Sequence, residues 1–460
     1  MFRYFPAIIF LIVCCISGCS NSTRKNEPEN LPEIHISGDL NDLNLGDYSK
    51  AEITCYSEKG ATELKKKIKI RYRGNRSFDY PKKNYSFKLK KGRELFGLNK
   101  SKRWKLNAEF VDKTMLRNKI SYTLFREFSD SNVAAKIVYV NLYVNKKYKG
   151  IYALTESIDQ NMLQLGTKTS GAVLFKEPPI FYPSSEHKKR FEDFQNYSLT
   201  SVRYNAFSKK ARKKLAQNSY FNQRYPSLKQ KNYANEIYKI TTFIFDSSDE
   251  VFTDRPNFNS HFKLENIVDW HLLLLVTNNG DGYYKNFYLS RSKFGEPFLF
   301  TPWDYDHSFG RDGDGEPSHE KVLDFKNMRL ITRLLETNAF NYRQKLLERF
   351  IELKQKNILT VEHLHELIDN NVAVLEKDMD ANTKIWPLGT IKYFKTSSFE
   401  SEVKLMKKWV EEHLPRIETH LQDQVEALTS KLENTHASEK SAHQTILSGV
   451  TIEKSDQRKD

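Results

Sequence analysis

Alternation of apolar and polar positions divides the chain near residue 177. Before that point, short alternating or β-rich stretches recur at 33–37, 51–56, 68–73 and 85–90, and their period of two predicts strands. Residues 114–128, T-M-L-R-N-K-I-S-Y-T-L-F-R-E-F, instead place Leu116, Ile120, Leu124 and Phe128 on one face at helical spacing. Two further strands, 137–145 and 148–155, flank a short lysine-rich turn, so the first half reads as mixed sheet with one packed helix. Beyond it the period lengthens. Residues 233–245 and 261–276 read as helices, the second apolar enough at 272–276 to be buried, and 286–290 with 297–300 read as a hairpin. Helices follow within 341–379 and 401–428, where Pro415 is expected to kink or divide the last. No internal repeat is present.

The ends and the middle depart from this pattern. M-F-R-Y-F-P-A-I-I-F-L-I-V-C-C-I-S-G-C-S has a short basic start, an apolar run and small residues before Cys19, the form of a secretion signal over 1–18. Ile16-Ser17-Gly18-Cys19 also looks like a bacterial lipobox, with Cys19 as the lipidated first residue of the mature chain. A polar tether (19–31), a β-rich N-terminal region (32–177), a basic insertion (178–232), a helical C-terminal region (233–428) and a polar tail (429–460) complete the expected organisation. The setting implied is the bacterial envelope, outside the cytoplasm, with the membrane reached through the lipid.

Cysteine and charge narrow the chemistry. After removal of the leader Cys55 is the one cysteine besides Cys19, which argues against an internal disulfide and excludes a cysteine-based zinc site. A chain of 460 residues exceeds what one core usually serves, so two lobes with a ligand cleft between them are expected. The net charge of +15 favours anionic partners such as nucleotides, acidic proteins or lipid head groups. Nucleic acid is not an expected partner for an exported, tethered protein.

The candidate chemistry lies in N-N-G-D-G-Y-Y-K-N-F-Y-L-S-R and the following P-F-L-F-T-P-W-D-Y-D-H-S-F-G. Asp281 falls in a loop after the apolar helix, placed to orient or deprotonate a hydroxyl; Asn286 opens the hairpin, and Asp304 lies just past its return strand. Hairpin geometry brings Asn286 and Asp304 together, the relation two ligands of one Mg²⁺ or Mn²⁺ require. Asp306 shares the side of Asp304 if the segment is extended, and is a further candidate ligand. An acid, an amide five positions later and a second acid past a hairpin is the order used for phosphoryl transfer, which needs positioning and charge neutralisation. For phosphate contact the turn beginning Arg73-Gly74 and the strand residue Lys88 are candidates, with Lys82 and Lys83 as rivals, and Glu156 closes the 148–155 strand as a candidate partner of a base or of a nucleotide. Two other readings stand beside this one. Asp304-Tyr305-Asp306 is also a D-x-D suited to a sugar nucleotide in a glycosyltransferase, and the basic insertion suits an inactive, lipid-anchored surface-binding protein. No H-E-x-x-H or G-x-S-x-G occurs.

Five separated segments, R-Y-R-G-N-R-S-F-D-Y-P-K-K-N-Y-S-F-K-L, D-K-T-M-L-R-N, V-N-L-Y-V-N-K-K-Y-K-G-I-Y-A-L-T-E-S-I-D, N-G-D-G-Y-Y-K-N-F-Y-L and P-W-D-Y-D-H-S-F-G, together resemble the CotH family of atypical kinases. The resemblance spans roughly 34–428. It implies an α+β, kinase-like two-lobed fold and ATP-dependent, Mg²⁺- or Mn²⁺-dependent phosphorylation of serine or threonine in a protein substrate, an acidic one if the basic balance guides it. By that match Asp281 takes the catalytic position, Asn286 and Asp304 the metal positions, and the 73–88 region (Arg73, Lys83, Lys88) with Glu156 the nucleotide side. Phe78 stands where the family often has Trp.

Overall fold

The computed structural model describes residues 30–74, 76–186, 222–282, 285–311, 321–326, 328–387 and 398–453, with 431–453 as backbone helix alone. The leader and Cys19, and most of the basic insertion, lie outside the described residues.

Seven strands close into a barrel: β1 (Glu33–Ser37), β2 (Ser49–Tyr56), β3 (Thr62–Arg73), β4 (Asn84–Leu95), β5 (Leu98–Asn107), β6 (Ile137–Val144) and β7 (Lys147–Glu156). Their order is β1-β2-β3-β4-β5-β7-β6, and a parallel pairing of β1 with β6 joins the two edges. Closure removes the open edges that a flat mixed sheet would leave. Alternate side chains, among them Ile34, Ile53, Ile70, Phe87, Trp104, Leu106, Leu142 and Leu154, fill the interior as one hydrophobic cluster. The barrel strand absent from the sequence reading is β5. Lysine-rich between the inward Leu98 and the inward Trp104 and Leu106, it is held by pairing with β4 on one side and β7 on the other.

The second half combines a four-stranded sheet with helices. The sheet, in order β11-β10-β8-β9, is built from β8 (Val173–Lys176), β9 (Gln223–Tyr225), β10 (Phe287–Arg291) and β11 (Leu299–Pro302). Around it and beneath the barrel lie α1 (Arg117–Phe128), α2 (Ala234–Phe245), α3 (Asp249–Thr253), α4 (Arg255–His261), α5 (Leu264–Thr277), α6 (Arg329–Thr337), α7 (Tyr342–Gln355), α8 (Val361–Ile385) and α9 (Phe399–Glu453). A second hydrophobic cluster, centred on Trp270 and the apolar run of α5, unites these elements. The architecture is α+β, with a β N-terminal region and a mainly helical C-terminal one.

Helix α1 begins three residues later than its spacing predicts. Asp112 accepts from the Thr114 amide at 3.0 Å, and Met115 takes a φ of 60°, which ends the turn before helical backbone can start. Pro415 does not divide α9, which continues through it as one element. Packing spans the proline on both sides: Leu414, Ile417 and Leu421 are buried, and His413 contacts the Leu275 carbonyl at 2.8 Å. Among the described residues no helix is long and apolar enough to cross a membrane.

Candidate active site

Buried and almost wholly apolar, α5 delivers the loop that follows it to a fixed place. It ends on Asn278 in the left-handed conformation, φ 51°, a frequent helix stop that asparagine tolerates. Asn279 then accepts from the Asp281 amide at 3.2 Å, and a Cβ on Gly282 would come within 2.6 Å of the Leu274 side chain, so a larger residue there would have to displace that leucine. Asp281 emerges half-buried, paired with Lys285 at 3.0 Å. Tyr283 and Tyr284 lie outside the described residues.

The β10–β11 ladder supplies the next two groups. Phe287 faces Pro302, and the Trp303 amide donates to the Asn286 carbonyl at 2.9 Å, so Asn286 and Asp304 leave the hairpin side by side. Both adopt left-handed backbone, with φ of 66° and 62°. Asparagine and aspartate tolerate this region, but two such residues at one hairpin end mark a geometry imposed by the surroundings. The surroundings are specific. Glu177 accepts from the Asn286 amide at 3.3 Å, Tyr122 from the Asp304 amide at 2.8 Å, and Asn118 from the Tyr305 amide at 2.7 Å. The Asn286 side-chain nitrogen donates to the Asp304 carbonyl at 3.2 Å, which leaves the amide oxygen as its group for a cation.

Asp281, Asn286, Asp304 and Asp306 line one cavity of about 350 Å³ together with Arg73, Lys82, Glu109, Lys176 and Glu177. Asp306 arrives there for a different reason than the extended backbone expected, because Asp304 turns the chain. Burial, reinforced by Asp304, Asp112 and Asp281, pushes its carboxyl up to about 6 although His307 opposes the shift. Burial likewise lowers Lys82 to about 7; its ammonium donates to the Ile151 carbonyl at 2.6 Å and to Asn382 at 3.2 Å. Glu177 is held below the usual carboxylate range: its burial is more than offset by Lys176, 2.8 Å away.

A second cavity of about 760 Å³ adjoins the first and shares Arg73 and Lys176 with it. Lys88 lines this one, with its ammonium 4.0 Å from the Tyr48 ring centre. Lys105, from the unanticipated β5, sits 3.4 Å from the ring centre of Trp303, and burial together with Arg73 and Lys176 holds its ammonium well below the ordinary range. Trp303, expected as a packing residue, does pack on Tyr122, yet it also forms part of this wall.

Two expected nucleotide residues are not brought to either cavity. Lys83 donates to the Phe78 carbonyl at 2.6 Å, and Glu156 accepts from the Asn99 and Lys136 amides at 2.9 and 3.0 Å, so both hold strand ends in place. Conversely, Lys105, Lys176, Glu177 and Glu109 were missed. For Lys105 the signal was present in R-W-K-L-N, where Trp104 and Leu106 point inward and leave Lys105 facing out; Lys176 ends the short β8 and Glu177 follows it, a strand too brief to read alone.

A buried network fixes the loop after Asp304. Arg117 of α1 pairs with Asp112, donates to the Ser308 carbonyl at 2.8 Å and lies 3.7 Å from Glu402 of α9, which in turn pairs with Arg311. D-K-T-M-L-R-N is therefore the brace that holds the hairpin exit, and its residues touch the segment P-W-D-Y-D-H-S-F-G directly.

Similarity to known proteins follows the same segments. A family model described as CotH kinase protein matches residues 70–415. The inner spore coat protein H of Bacillus subtilis (strain 168) is 27% identical over 309 residues, covering 65% of this chain and 74% of that protein. The matched span takes in the first cavity, all of the second except Tyr48, the Arg117 brace and the hairpin, and with it the chain belongs to the CotH kinase protein family.

Proposed function

We propose that this protein is a metal-dependent phosphotransferase that moves the γ-phosphate of ATP to serine or threonine of an envelope or surface protein, from a kinase-like two-lobed arrangement of barrel and helical region. The observation that carries the reading is the convergence of Asp281, Asn286 and Asp304 in one cavity, facing Arg73 and Lys176. Asp281 orients and deprotonates the acceptor hydroxyl. Lys105, Arg73 and Lys176 neutralise the phosphates along the boundary between the two cavities, and Trp303 and Tyr288 offer aromatic surface to the base.

The donor set fits a hard cation. Among the described residues no three His, Cys, Asp or Glu side chains converge closely enough to hold an ion alone. One or two carboxylates with an amide oxygen, completed by nucleotide phosphates and water, is how Mg²⁺ is usually held. When bound, the ion would neutralise charge developing on the transferred group. The D-x-D reading accounts for Asp304 and Asp306, which do share the cavity, but leaves Asp281 and Asn286 there without a task. Lipidation at Cys19 and an extracytoplasmic place belong to the same proposal.

The test is incorporation of labelled phosphate from ATP into a generic acidic protein with Mg²⁺ or Mn²⁺, comparing wild type with Asp304→Ala. Label that vanishes in the variant supports the reading. No label and no nucleotide-induced thermal shift from folded wild-type protein would turn it toward surface binding.

A further inference from the structure

We propose that Glu109 is an additional ligand of the cation site, contributing a carboxylate oxygen from the segment that leaves the barrel. This inference rests on the metal-dependent reading above and adds to it a residue remote in sequence from the hairpin.

Glu109 follows the end of β5, lines the cavity of Asp281, Asn286 and Asp304, and is only 7% exposed. One carboxylate oxygen accepts from the Asn118 side-chain nitrogen at 2.9 Å; the other, Oε1, is buried without a hydrogen-bond partner. Buried polar atoms are nearly always paired, so an orphaned carboxylate oxygen at a cavity wall calls for a missing partner. The charges that act most strongly on Glu109 are Asp306 and Asp112, with Asp304 next in the same sense. Lys82 is close enough to feel it, but its ammonium is directed to the Ile151 carbonyl and Asn382. Carboxylates gathered in this way are tolerated when protonated or when a cation stands among them. A divalent ion satisfies Oε1 and relieves the repulsion at one stroke, and hard oxygen donors suit Mg²⁺ or Mn²⁺. The backbone agrees: Glu109 has a φ of 47°, a conformation unusual for glutamate that its surroundings impose. Asn118 links the two halves of the site, donating to Glu109 and accepting from Tyr305.

The experiment uses the full chain in detergent and reads free Mn²⁺ by electron paramagnetic resonance with a saturating non-hydrolysable ATP analogue. Affinity of the analogue without metal is measured in parallel. Glu109→Gln is expected to weaken Mn²⁺ binding by about tenfold or more, the scale of losses around metal sites. Metal-free affinity for the analogue should be unchanged or tighter, since a negative charge facing the phosphates has been removed. A merely structural role would not produce that pair of results. Glu109→Asp keeps the charge on a shorter arm and should give an intermediate Mn²⁺ affinity; it decides the matter if the glutamine variant does not fold. Wild-type Mn²⁺ affinity in Glu109→Gln, with a raised metal-free melting temperature, overturns the proposal and makes Glu109 a protonated packing group. Asp304→Asn separates the two levels of inference. If it abolishes Mn²⁺ binding while Glu109→Gln does not, only Glu109 is misassigned; if wild type itself binds no Mn²⁺, the metal-dependent reading fails and takes this inference with it.

Discussion

The two adjoining cavities share Arg73 and Lys176 but carry opposite chemistry. One is lined by Glu109, Glu177, Asp281, Asp304 and Asp306, with fewer bases among them. The other presents Arg71, Lys88, Arg103, Lys105, Lys168 and Arg224, and Asp159 is the single acid among the described residues that line it. Acids collected in a partly closed space are suited to a cation and to proton transfer, whereas bases collected there are suited to phosphate. The contrast also tracks origin in the chain. Most of the acids leave the ends of α5 and of the β10–β11 hairpin, and many of the bases stand on the outer face of the barrel. The net basic charge of the sequence is thus not spread evenly at the site, and the junction at Arg73 and Lys176 is where an ATP–metal complex would find both signs within reach.

Four perturbations test that division. The largest effect is expected at the acidic side. Asp281→Asn should lower phosphate incorporation by about 100- to 10,000-fold, the usual contribution of a positioned base, with little change in ATP-analogue affinity or melting temperature. Activity near wild type would remove Asp281 from the chemistry.

At the basic side, Lys105→Met should weaken binding of an ATP analogue by about tenfold to a hundredfold, the scale of a hydrogen bond to a charged group. Because burial depresses the Lys105 ammonium, an arriving anion should raise it back toward its ordinary range. Calorimetry in buffers of different ionisation enthalpy should then show proton uptake on binding, absent in the variant.

A smaller effect is the pH response of Asp306, whose carboxyl is raised from 3.8 to about 6. A raised acid favours the folded state below its ordinary value, and that contribution is lost as pH rises through about 6. The metal-free melting temperature should therefore carry a component that declines between these two values and disappears in Asp306→Asn. Metal binding needs the carboxylate, so the thermal shift produced by Mn²⁺ should move the other way and shrink as pH falls below about 6. A flat Mn²⁺ response across that range would exclude Asp306 from the site.

The smallest functional effect is expected where the structure moves residues away from both cavities. Lys83→Met and Glu156→Gln should leave ATP-analogue affinity unchanged, while Glu156→Gln lowers stability by about 1–3 kcal/mol through the weakened amide contacts. A loss of nucleotide affinity in either variant would restore the sequence-based assignment.

Much of the fold was legible because most strands of the barrel face a single apolar interior. β1 was read to the residue, β2, β6 and β7 were recognised over most or all of their length, and β3 and β4 over half of theirs. β5 was not, since its lysines interrupt the alternation between the inward Leu98 and the inward Trp104 and Leu106, and β8 and β9 are too short to show a period. The same masking hid Lys105. Lys88 was read as facing a phosphate across a cleft, and it does line a cavity, though the basic one and not that of Asp281.

By itself the sequence determined the local order of chemistry: an apolar helix, a glycine-bounded loop with Asp281, a hairpin opened by Asn286 and returned to Asp304. These are near neighbours in the chain, and short-range turn and strand geometry suffices to bring them together. Tertiary structure alone decided which distant groups complete the site. Glu109 and Lys105 reach it because the barrel closes and packs over the helical region, Lys176 because β8 pairs with β10, and Glu156, a candidate by position, is turned by strand pairing toward backbone amides instead. A period of two tells which face a side chain takes; it does not tell what the opposite wall of a cavity, built from residues scores of positions away, will place in front of it.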